Sequence, residues 1–229
     1  MVKTIGVLGG WGLESTAVFY FEIIKQCQRL YGAKYNTHYP EIFIYNMTHP
    51  CWIESIKNSA KIVPILLSGI KKLESAGADF IVVPCNTAHY FFEDMKRSSS
   101  VPILNIIQET LKKVKSDGYK NIGLLATATT IENKIYDKIF NEFGIDVIVP
   151  KKQNKITKII INILAGKKLK KDKNELKQII KKLKYNGAEA IVLGCTDLPL
   201  LLRQEDVDIK VFDNLKIYAE STVKFAIKK

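Results

Sequence analysis

Two cysteines of this sequence stand in matching surroundings. Cys85 lies in the run Pro-Cys-Asn-Thr and Cys195 in Gly-Cys-Thr-Asp, and each run follows a short apolar segment typical of a β-strand. Backbone N–H groups at the start of a helix stabilise a thiolate, which lowers the pKa of a cysteine below about 8.5. We therefore expect both thiols to work as acid and base.

A pair of thiols on opposite walls of a pocket suits the inversion of a stereocentre. One base removes a proton from one face of the carbon and the other thiol returns one to the opposite face, each contributing about 10²- to 10⁴-fold. Asn86, Thr87 and Thr196 stand beside the thiols and can bind an anionic substrate. Core filling and a redox pair are the alternatives, and the lack of Cys-x-x-Cys spacing disfavours the latter.

An internal duplication supports the pairing of the two cysteines. Residues 70–85 align without gaps on residues 180–195, and nine of the sixteen positions are identical. Both copies end on a cysteine. Shorter matches relate residues 3–8 to 120–125 and residues 101–105 to 209–213.

Short β-rich segments alternate with segments of helical periodicity, which predicts a parallel α/β protein. The predicted strands are Lys3–Leu8, Ile42–Tyr45, Phe80–Val83, Ile103–Ile106, Ile122–Leu125, Asp146–Val149, Ala190–Leu193 and Lys210–Phe212. The predicted helices are Glu14–Leu30, Ile53–Ser75, Ala88–Arg97, Gln108–Ser116, Ile131–Phe143, Ile156–Ala165, Lys173–Tyr185 and Leu215–Ile227.

The duplication predicts two similar parallel-sheet α/β domains related by a pseudo-twofold axis. We assign residues 1–100 with 210–229 to the domain that carries Cys85, and residues 101–209 to the domain that carries Cys195. Ligands of parallel α/β sheets bind at the carboxyl ends of the strands. Both cysteines are therefore expected to face one cleft between the domains.

A glycine-rich loop follows the first predicted strand. The run GVLGGWG over residues 6–12 matches neither the dinucleotide-binding pattern nor a phosphate-binding P-loop. Its glycines allow backbone amides to approach a carboxylate, with a plain strand-to-helix turn as the alternative. Gly10 and Trp11 are thus candidate substrate-binding residues, and Thr127 occupies the corresponding loop of the second half.

The histidines offer no recognisable metal site. His38, His49 and Cys51 are close in sequence, but their spacing fits no common zinc pattern, so no metal is expected. His89 follows Cys85 by four residues. It either tunes the thiol or caps the following helix.

Composition and charge restrict the remaining classes. The 229 residues are 47% hydrophobic and 25% charged, the balance of an ordinary folded protein, and four scattered cysteines suggest reduced thiols and a cytosolic location. No apolar run is long enough for a transmembrane helix. Residues 151–184 carry +11 of the net charge of +12, and their helical spacing indicates a solvated surface, with nucleic-acid binding as a less favoured alternative.

The motifs IGVLGG at residue 5, PCNTAH at residue 84 and GCTD at residue 194 resemble the aspartate/glutamate racemase family, and in particular its aspartate racemase branch. The resemblance covers nearly the whole chain. It implies a cofactor-independent racemase, often dimeric, with two α/β domains and a C-terminal strand and helix that return to the first domain. Carried onto this sequence, it makes Cys85 and Cys195 the acid/base pair. The substrate-binding residues it implies, with the loop candidates, are Gly10, Trp11, Asn46, Asn86, Thr87, Thr127, Thr196 and Asp197.

This chain departs from the aspartate-specific pattern in several places. Ile53 and Leu164 stand where the resemblance implies an arginine and a lysine for the substrate side chain, and Asp197 replaces a glutamate. The glycine loop has Trp-Gly-Leu where Met-Gly-Pro is usual. The reaction is therefore better supported than the substrate, and a hydantoin racemase, a maleate isomerase or a malonate decarboxylase remain alternatives.

Overall fold

The computed structural model describes residues 2–49 and 59–228, without the side chains at positions 59 and 60. Within these residues the chain forms two sheets, and every strand pair is parallel. The first sheet has the order β2-β1-β3 and the second the order β5-β4-β6-β7. The strands are β1 (Ile5–Gly9), β2 (Ile42–Asn46), β3 (Phe80–Val82), β4 (Asn121–Leu125), β5 (Asp146–Ile148), β6 (Ala190–Leu193) and β7 (Lys210–Asp213). The prediction of two parallel α/β halves is confirmed.

Nine α-helices are found in the described residues. They are α1 (Leu13–Tyr31), α2 (Ser59–Ser75), α3 (Phe92–Ser98), α4 (Ile106–Ser116), α5 (Ala128–Glu132), α6 (Asp137–Phe140), α7 (Gln153–Leu164), α8 (Lys170–Tyr185) and α9 (Asn214–Ile227). None of them combines the length and the apolar character needed to cross a bilayer.

Strands β1 and β6 are buried along their whole length because both faces of each sheet are covered. Alternate residues of β6 enter different cores: Ala190 and Val192 face a central core, and Ile191 and Leu193 an outer one. The central core also receives β1 and the apolar faces of α1, α4 and α9. The two halves therefore share one core and each has an outer core of its own.

The duplication is visible in the packing of two equivalent glycines. A Cβ on Gly6 of β1 would lie 2.8 Å from Ala78 Cβ, and one on Gly123 of β4 would lie 2.7 Å from Ile191 Cδ1. Neighbouring residues pack too closely on these strands for any side chain. The repeated glycine thus has the same physical reason in both halves.

The matching segments 101–105 and 209–213 also occupy equivalent positions in the two halves. Ile103 forms a parallel bridge with Ile81 of β3, just as β7 pairs with β6 in the second sheet. The predicted strand Ile103–Ile106 is shorter than expected, because the side chain of Asn105 accepts hydrogen bonds from two backbone N–H groups and starts α4.

The C-terminal segment divides between the halves. Strand β7 belongs to the second sheet, whereas we predicted that residues 210–229 return to the first domain. Helix α9 does pack against α1, and the N–H of Lys3 donates to the carbonyl of Ala226 at 2.9 Å. The domain boundaries stay a prediction. Strand β7 differs from that prediction because it pairs within the second sheet.

Two predicted helices are interrupted. The segment predicted as Ala88–Arg97 begins with a 3₁₀ turn at Thr87–Phe91, and only then continues as α3. The segment predicted as Ile131–Phe143 breaks at Lys134, whose φ of 51° lies in the left-handed region and separates α5 from α6. The first six residues of the predicted helix Ile53–Ser75 lie outside the described residues.

The lysine-rich segment forms helices α7 and α8. Their apolar side chains, among them Ile160 and Leu183, are buried in the outer core of the second half, and none of the thirteen lysines is buried. This arrangement confirms the solvated surface expected from the spacing.

Candidate active site

A small cavity lies beyond the carboxyl ends of β3 and β6, where the two halves meet. Cys85 follows β3 by three residues and Cys195 follows β6 by two. The cavity is lined by Trp11, Cys85, Asn86, Thr87, Thr127, Ile160, Cys195, Thr196 and Asp197. Eight of the ten predicted site residues are thus brought together, and Ile160 is an addition that the sequence did not reveal.

Direct hydrogen bonds join the halves across this cavity. The hydroxyl of Thr196 donates to the carbonyl oxygen of Pro84 at 3.1 Å, and the hydroxyls of Thr87 and Thr127 are 2.9 Å apart. An ion pair between Lys168 and Glu14 also connects the second half to the start of α1. The cavity volume is about 20 Å³, which holds little more than one water molecule. The cavity is therefore too small for an amino acid in this conformation.

Burial controls the protonation of Cys85. Loss of hydration raises the pKa of its thiol to about 12, although the backbone N–H groups of Ala88 and Thr87 act in the opposite direction. The charge of Asp197 raises the pKa further. We had expected backbone N–H groups to lower this pKa below about 8.5. That expectation is wrong for the closed site, because desolvation of a thiolate outweighs two hydrogen bonds.

Cys195 has the same protonation state for the same reasons. It is 7% exposed, and burial followed by the nearby charge of Asp197 raises the pKa of its thiol well above the usual value. Its Sγ lies 3.8 Å from Asp197 Oδ2, a long contact in which the thiol donates. Both cysteines are therefore neutral thiols in the closed site.

Asp197 lies between Cys195 and the glycine-rich loop. Burial raises the pKa of its carboxyl to about 6, and the neighbouring Ser15 hydroxyl, which donates to the Gly12 carbonyl, offsets only part of this rise. A Cβ on Gly12 would lie 2.5 Å from Asp197 Oδ1, so the glycine permits the close approach of the carboxylate. The loop that was expected to bind a carboxylate of the substrate thus surrounds a carboxylate of the protein.

Three threonine hydroxyls form a buried triangle beside the cavity. Thr87 Oγ1 lies 2.9 Å from Thr127 Oγ1 and 3.1 Å from Thr130 Oγ1, and the last two are 2.9 Å apart. The Thr127 side chain also caps α5 by accepting from the backbone N–H of Thr130. Sequence reasoning missed Thr130, although the run Thr-Ala-Thr-Thr after β4 marks a helix start rich in hydroxyls.

The side chain of Asn86 is held by two buried partners. Tyr136 Oη donates to Asn86 Oδ1 at 2.7 Å, and Asn214 Nδ2 donates to the same oxygen at 2.8 Å. Neither partner was among the predicted site residues. Asn86 Nδ2 is buried without a hydrogen-bond partner in the part of the chain that the structure describes.

Both ring nitrogens of His89 bond to the backbone, one of them at Cys85. Its Nδ1 lies 2.7 Å from the carbonyl oxygen of Cys85, which makes Nδ1 the donor, and its Nε2 accepts from the backbone N–H of Ile106 at 3.3 Å. Burial lowers the pKa of His89 to about 4. The neutral ring therefore links the turn at Cys85 to the start of α4. This role differs from both predicted alternatives, tuning the thiol and capping the following helix.

Two of the predicted site residues, Asn46 and Gly10, are not among the described residues that line the cavity. Asn46 ends β2 with an exposed side chain. The N–H of Gly10 donates to Thr16 Oγ1 at 3.3 Å, and its carbonyl accepts from His49 Nε2 at 3.0 Å. The φ of Gly10 is +99° and a Cβ there would lie 2.3 Å from the Met47 carbonyl oxygen, so Gly10 shapes the loop.

The sequence predicted no metal site. In the described residues, histidine, cysteine and acidic side chains form no group of three that could hold a metal ion. The Trp11 ring packs against His49, with ring centroids 4.3 Å apart. Leu164 ends α7 and is exposed, and Cys51 and Ile53 lie outside the described residues.

Two duplicated parallel α/β halves, each contributing a cysteine to one cavity, define the two-domain fold of the α/β racemases. Residues 8–222 match the Asp/Glu/hydantoin racemase family, and the chain belongs to that family. It is 32% identical to the broad specificity amino-acid racemase RacX of Bacillus subtilis (strain 168), over 96% of each chain.

Solved structures agree in fold over the full length. An aspartate racemase homologue from Pyrococcus horikoshii OT3 is 33% identical with a TM-score of 0.82, covering 99% of this chain and all of that one. The aspartate racemase of Picrophilus torridus is 28% identical with a TM-score of 0.85, covering 99% and 95%. The chain is therefore an isomerase of the racemase type.

Proposed function

We propose that this protein racemises amino acids by proton transfer between Cys85 and Cys195, without a cofactor. The observation that carries the proposal is that matched cysteines from the two repeats line one cavity. The relatives named as amino-acid racemases support the same reaction class. The expected cytosolic location and homodimer stay predictions.

The polar end of the cavity suits the α-carboxylate of the substrate. Asn86 Nδ2 is a buried donor without a partner among the described residues, and the hydroxyls of Thr87 and Thr127 are close by. Removing the α-proton places negative charge on the carboxylate oxygens. Fixed donors stabilise that charge more strongly in the transition state than in the bound substrate.

The proton must move in balanced steps. One cysteine, as the thiolate, takes the α-proton and becomes a thiol, and the thiol of the other gives its proton to the opposite face of the carbanion and becomes the thiolate. The substrate is inverted and the two cysteines have exchanged states, so a proton must be redistributed before the next turnover in the same direction.

A thiolate must first form in a site that favours neutral thiols. Asp197 lies 3.8 Å from Cys195 Sγ, and burial raises the pKa of its carboxyl to about 6, still well below the pKa of the thiol. Transfer of the Cys195 proton to Asp197 is therefore uphill, and substrate binding must offset its cost. The substrate ammonium group brings a positive charge that favours a thiolate on either side. Substrate binding and thiol ionisation are thus coupled.

The side chain of the substrate faces a partly apolar wall. Trp11 and Ile160 line the cavity, and neither is charged. We propose that amino acids with short side chains are accepted, aspartate among them, rather than aspartate alone. The relatives include a broad specificity amino-acid racemase and an aspartate racemase.

Chiral chromatography and α-proton exchange in deuterated water, run on aspartate, glutamate and alanine, test this function. Cys85→Ala and Cys195→Ala should each lower the racemisation rate by about 10²- to 10⁴-fold. Cys27→Ala is the matched control, because Cys27 is a buried cysteine of the central core. Racemisation retained in both site variants would reject the mechanism, and products other than enantiomers would favour a sister activity.

A further inference from the structure

The Asn86 amide is held in one orientation by a network that reaches three parts of the chain. Asn86 follows Cys85, Tyr136 lies between α5 and α6, and Asn214 is the first residue of α9. All three side chains are buried. Tyr136 Oη and Asn214 Nδ2 both donate to Asn86 Oδ1, and Asn214 Nδ2 also donates to Tyr136 Oη at 3.1 Å.

These hydrogen bonds hold the Asn86 amide with Oδ1 toward Tyr136 and Asn214 and leave Nδ2 without a partner among the described residues. A phenol has one hydrogen to donate, and that of Tyr136 goes to Asn86 Oδ1. The amide nitrogen of Asn214 has two hydrogens, which serve the same oxygen and the phenol. If the Asn86 amide alone were turned over, its N–H groups would face those of Asn214, and two donors would lose their acceptor. The orientation of Asn86 is therefore coupled to that of Asn214, whose Oδ1 has no partner among the described residues.

We propose that Tyr136 and Asn214 are positioning residues that direct the N–H groups of Asn86 toward the substrate carboxylate, an inference that rests on the proposed function. Neither residue lines the cavity among the described residues. Their effect on the substrate therefore passes through Asn86. Because the carboxylate gains charge during proton removal, a correctly oriented donor acts on kcat/KM.

A double-mutant cycle separates positioning from plain stability. Tyr136→Phe and Asn214→Ala should each lower kcat/KM for racemisation by about fivefold to tenfold, the loss expected for one hydrogen bond between neutral groups. In the Asn86→Ala background the same changes should alter kcat/KM by less than twofold. An effect of equal size in both backgrounds would overturn the proposal.

Tyr218→Phe is the matched control. Tyr218 is also fully buried, and its hydroxyl bonds to the N–H of Val83 and the carbonyl of Leu104, without contact to Asn86. Loss of the Tyr218 hydroxyl should lower thermal stability as Tyr136→Phe does. Its effect on kcat/KM should be independent of the residue at position 86.

A second measurement requires no turnover. Acetate is titrated into the ¹⁵N-labelled protein, and the side-chain amide signals of Asn86 are followed by NMR. Acetate should shift these signals, with an affinity at least fivefold weaker in Tyr136→Phe than in Tyr218→Phe. Equal affinities, or no shift of the Asn86 signals in the wild type, would overturn the positioning role. Normal acetate binding without racemisation of any amino acid would instead reject the proposed function alone.

Discussion

The hydroxyl of Thr196 donates to the carbonyl oxygen of Pro84 at 3.1 Å, and so joins the residue after one cysteine to the residue before the other. This contact joins the two halves beside the cavity to which each repeat contributes a cysteine. The hydrogen bond therefore ties together the two segments that carry the proposed acid/base pair. Burial in this region, with the charge of Asp197, raises the pKa of both thiols, although Cys85 is only half-buried.

Asp197→Asn should lower the pKa of both thiols. The carboxyl has a pKa of about 6, so above pH 6 its negative charge opposes a second negative charge on Cys85 or Cys195. Removing that charge favours the thiolates. We expect iodoacetamide to alkylate both cysteines faster at pH 8, with the midpoint of the rate against pH moved to lower pH, as measured by peptide mass spectrometry.

Asp213→Asn controls for the loss of a half-buried carboxylate. Burial raises the pKa of Asp213 too, and its side chain caps α9, a role that asparagine also fills. Its thiol alkylation profile should match that of the wild type. Unchanged alkylation in Asp197→Asn would show that burial alone sets the thiol pKa.

His89 should make the protein sensitive to acid between about pH 6.5 and pH 4. Burial lowers the pKa of its ring from 6.5 to about 4 in the folded protein, so in this window the unfolded chain binds more protons. Folding stability is then present above pH 6.5 and falls as the pH falls toward 4. The loss from this ring is at most about 3 kcal/mol.

Urea unfolding at several pH values measures this loss. His89→Gln should flatten the decline of unfolding free energy between pH 6.5 and 4, whereas His38→Gln, at an exposed histidine, should leave it as in the wild type. Asp197 has the opposite sign, because its raised pKa favours the folded state as the pH falls through 6. The His89 contribution is therefore best measured in an Asp197→Asn background.

The sequence predicted most of the residues that line the cavity, but not the buried residues that bond to them. The repeat identified both cysteines, and the polar residues beside them followed from their position at strand ends. The sequence did not identify Tyr136 as a site residue, because the helical pattern over residues 131–143 is continuous and gives no sign of the break at Lys134. Asn214 follows the capping residue of α9, and only tertiary packing brings it 2.8 Å from Asn86.

Gly12→Ala should disturb catalysis more than stability. Its Cβ would meet the Asp197 carboxylate and Ser15 Oγ, each at 2.5 Å, and would displace the carboxylate from Cys195. Gly123→Ala is the comparison, since its Cβ would clash with Ile191 and Leu183 in the core. It should lower the unfolding free energy by about 1–3 kcal/mol, and leave the kcat of the folded fraction within about twofold. Equal kcat losses in both variants would remove the link between Gly12 and Asp197.

Thr130→Val tests whether the hydroxyl triangle serves the substrate. Valine keeps the shape but removes the hydroxyl that bonds Thr87 and Thr127, so both lose a partner and their orientation toward the cavity is freed. We expect KM for the amino acid to rise about fivefold, the effect of about 1 kcal/mol. Thr222→Val removes an equally buried hydroxyl whose partner is the Tyr218 carbonyl of the preceding helical turn. Because that bond lies within α9, this control should change stability without changing KM, and a rise in KM common to both variants would assign the triangle a purely structural role.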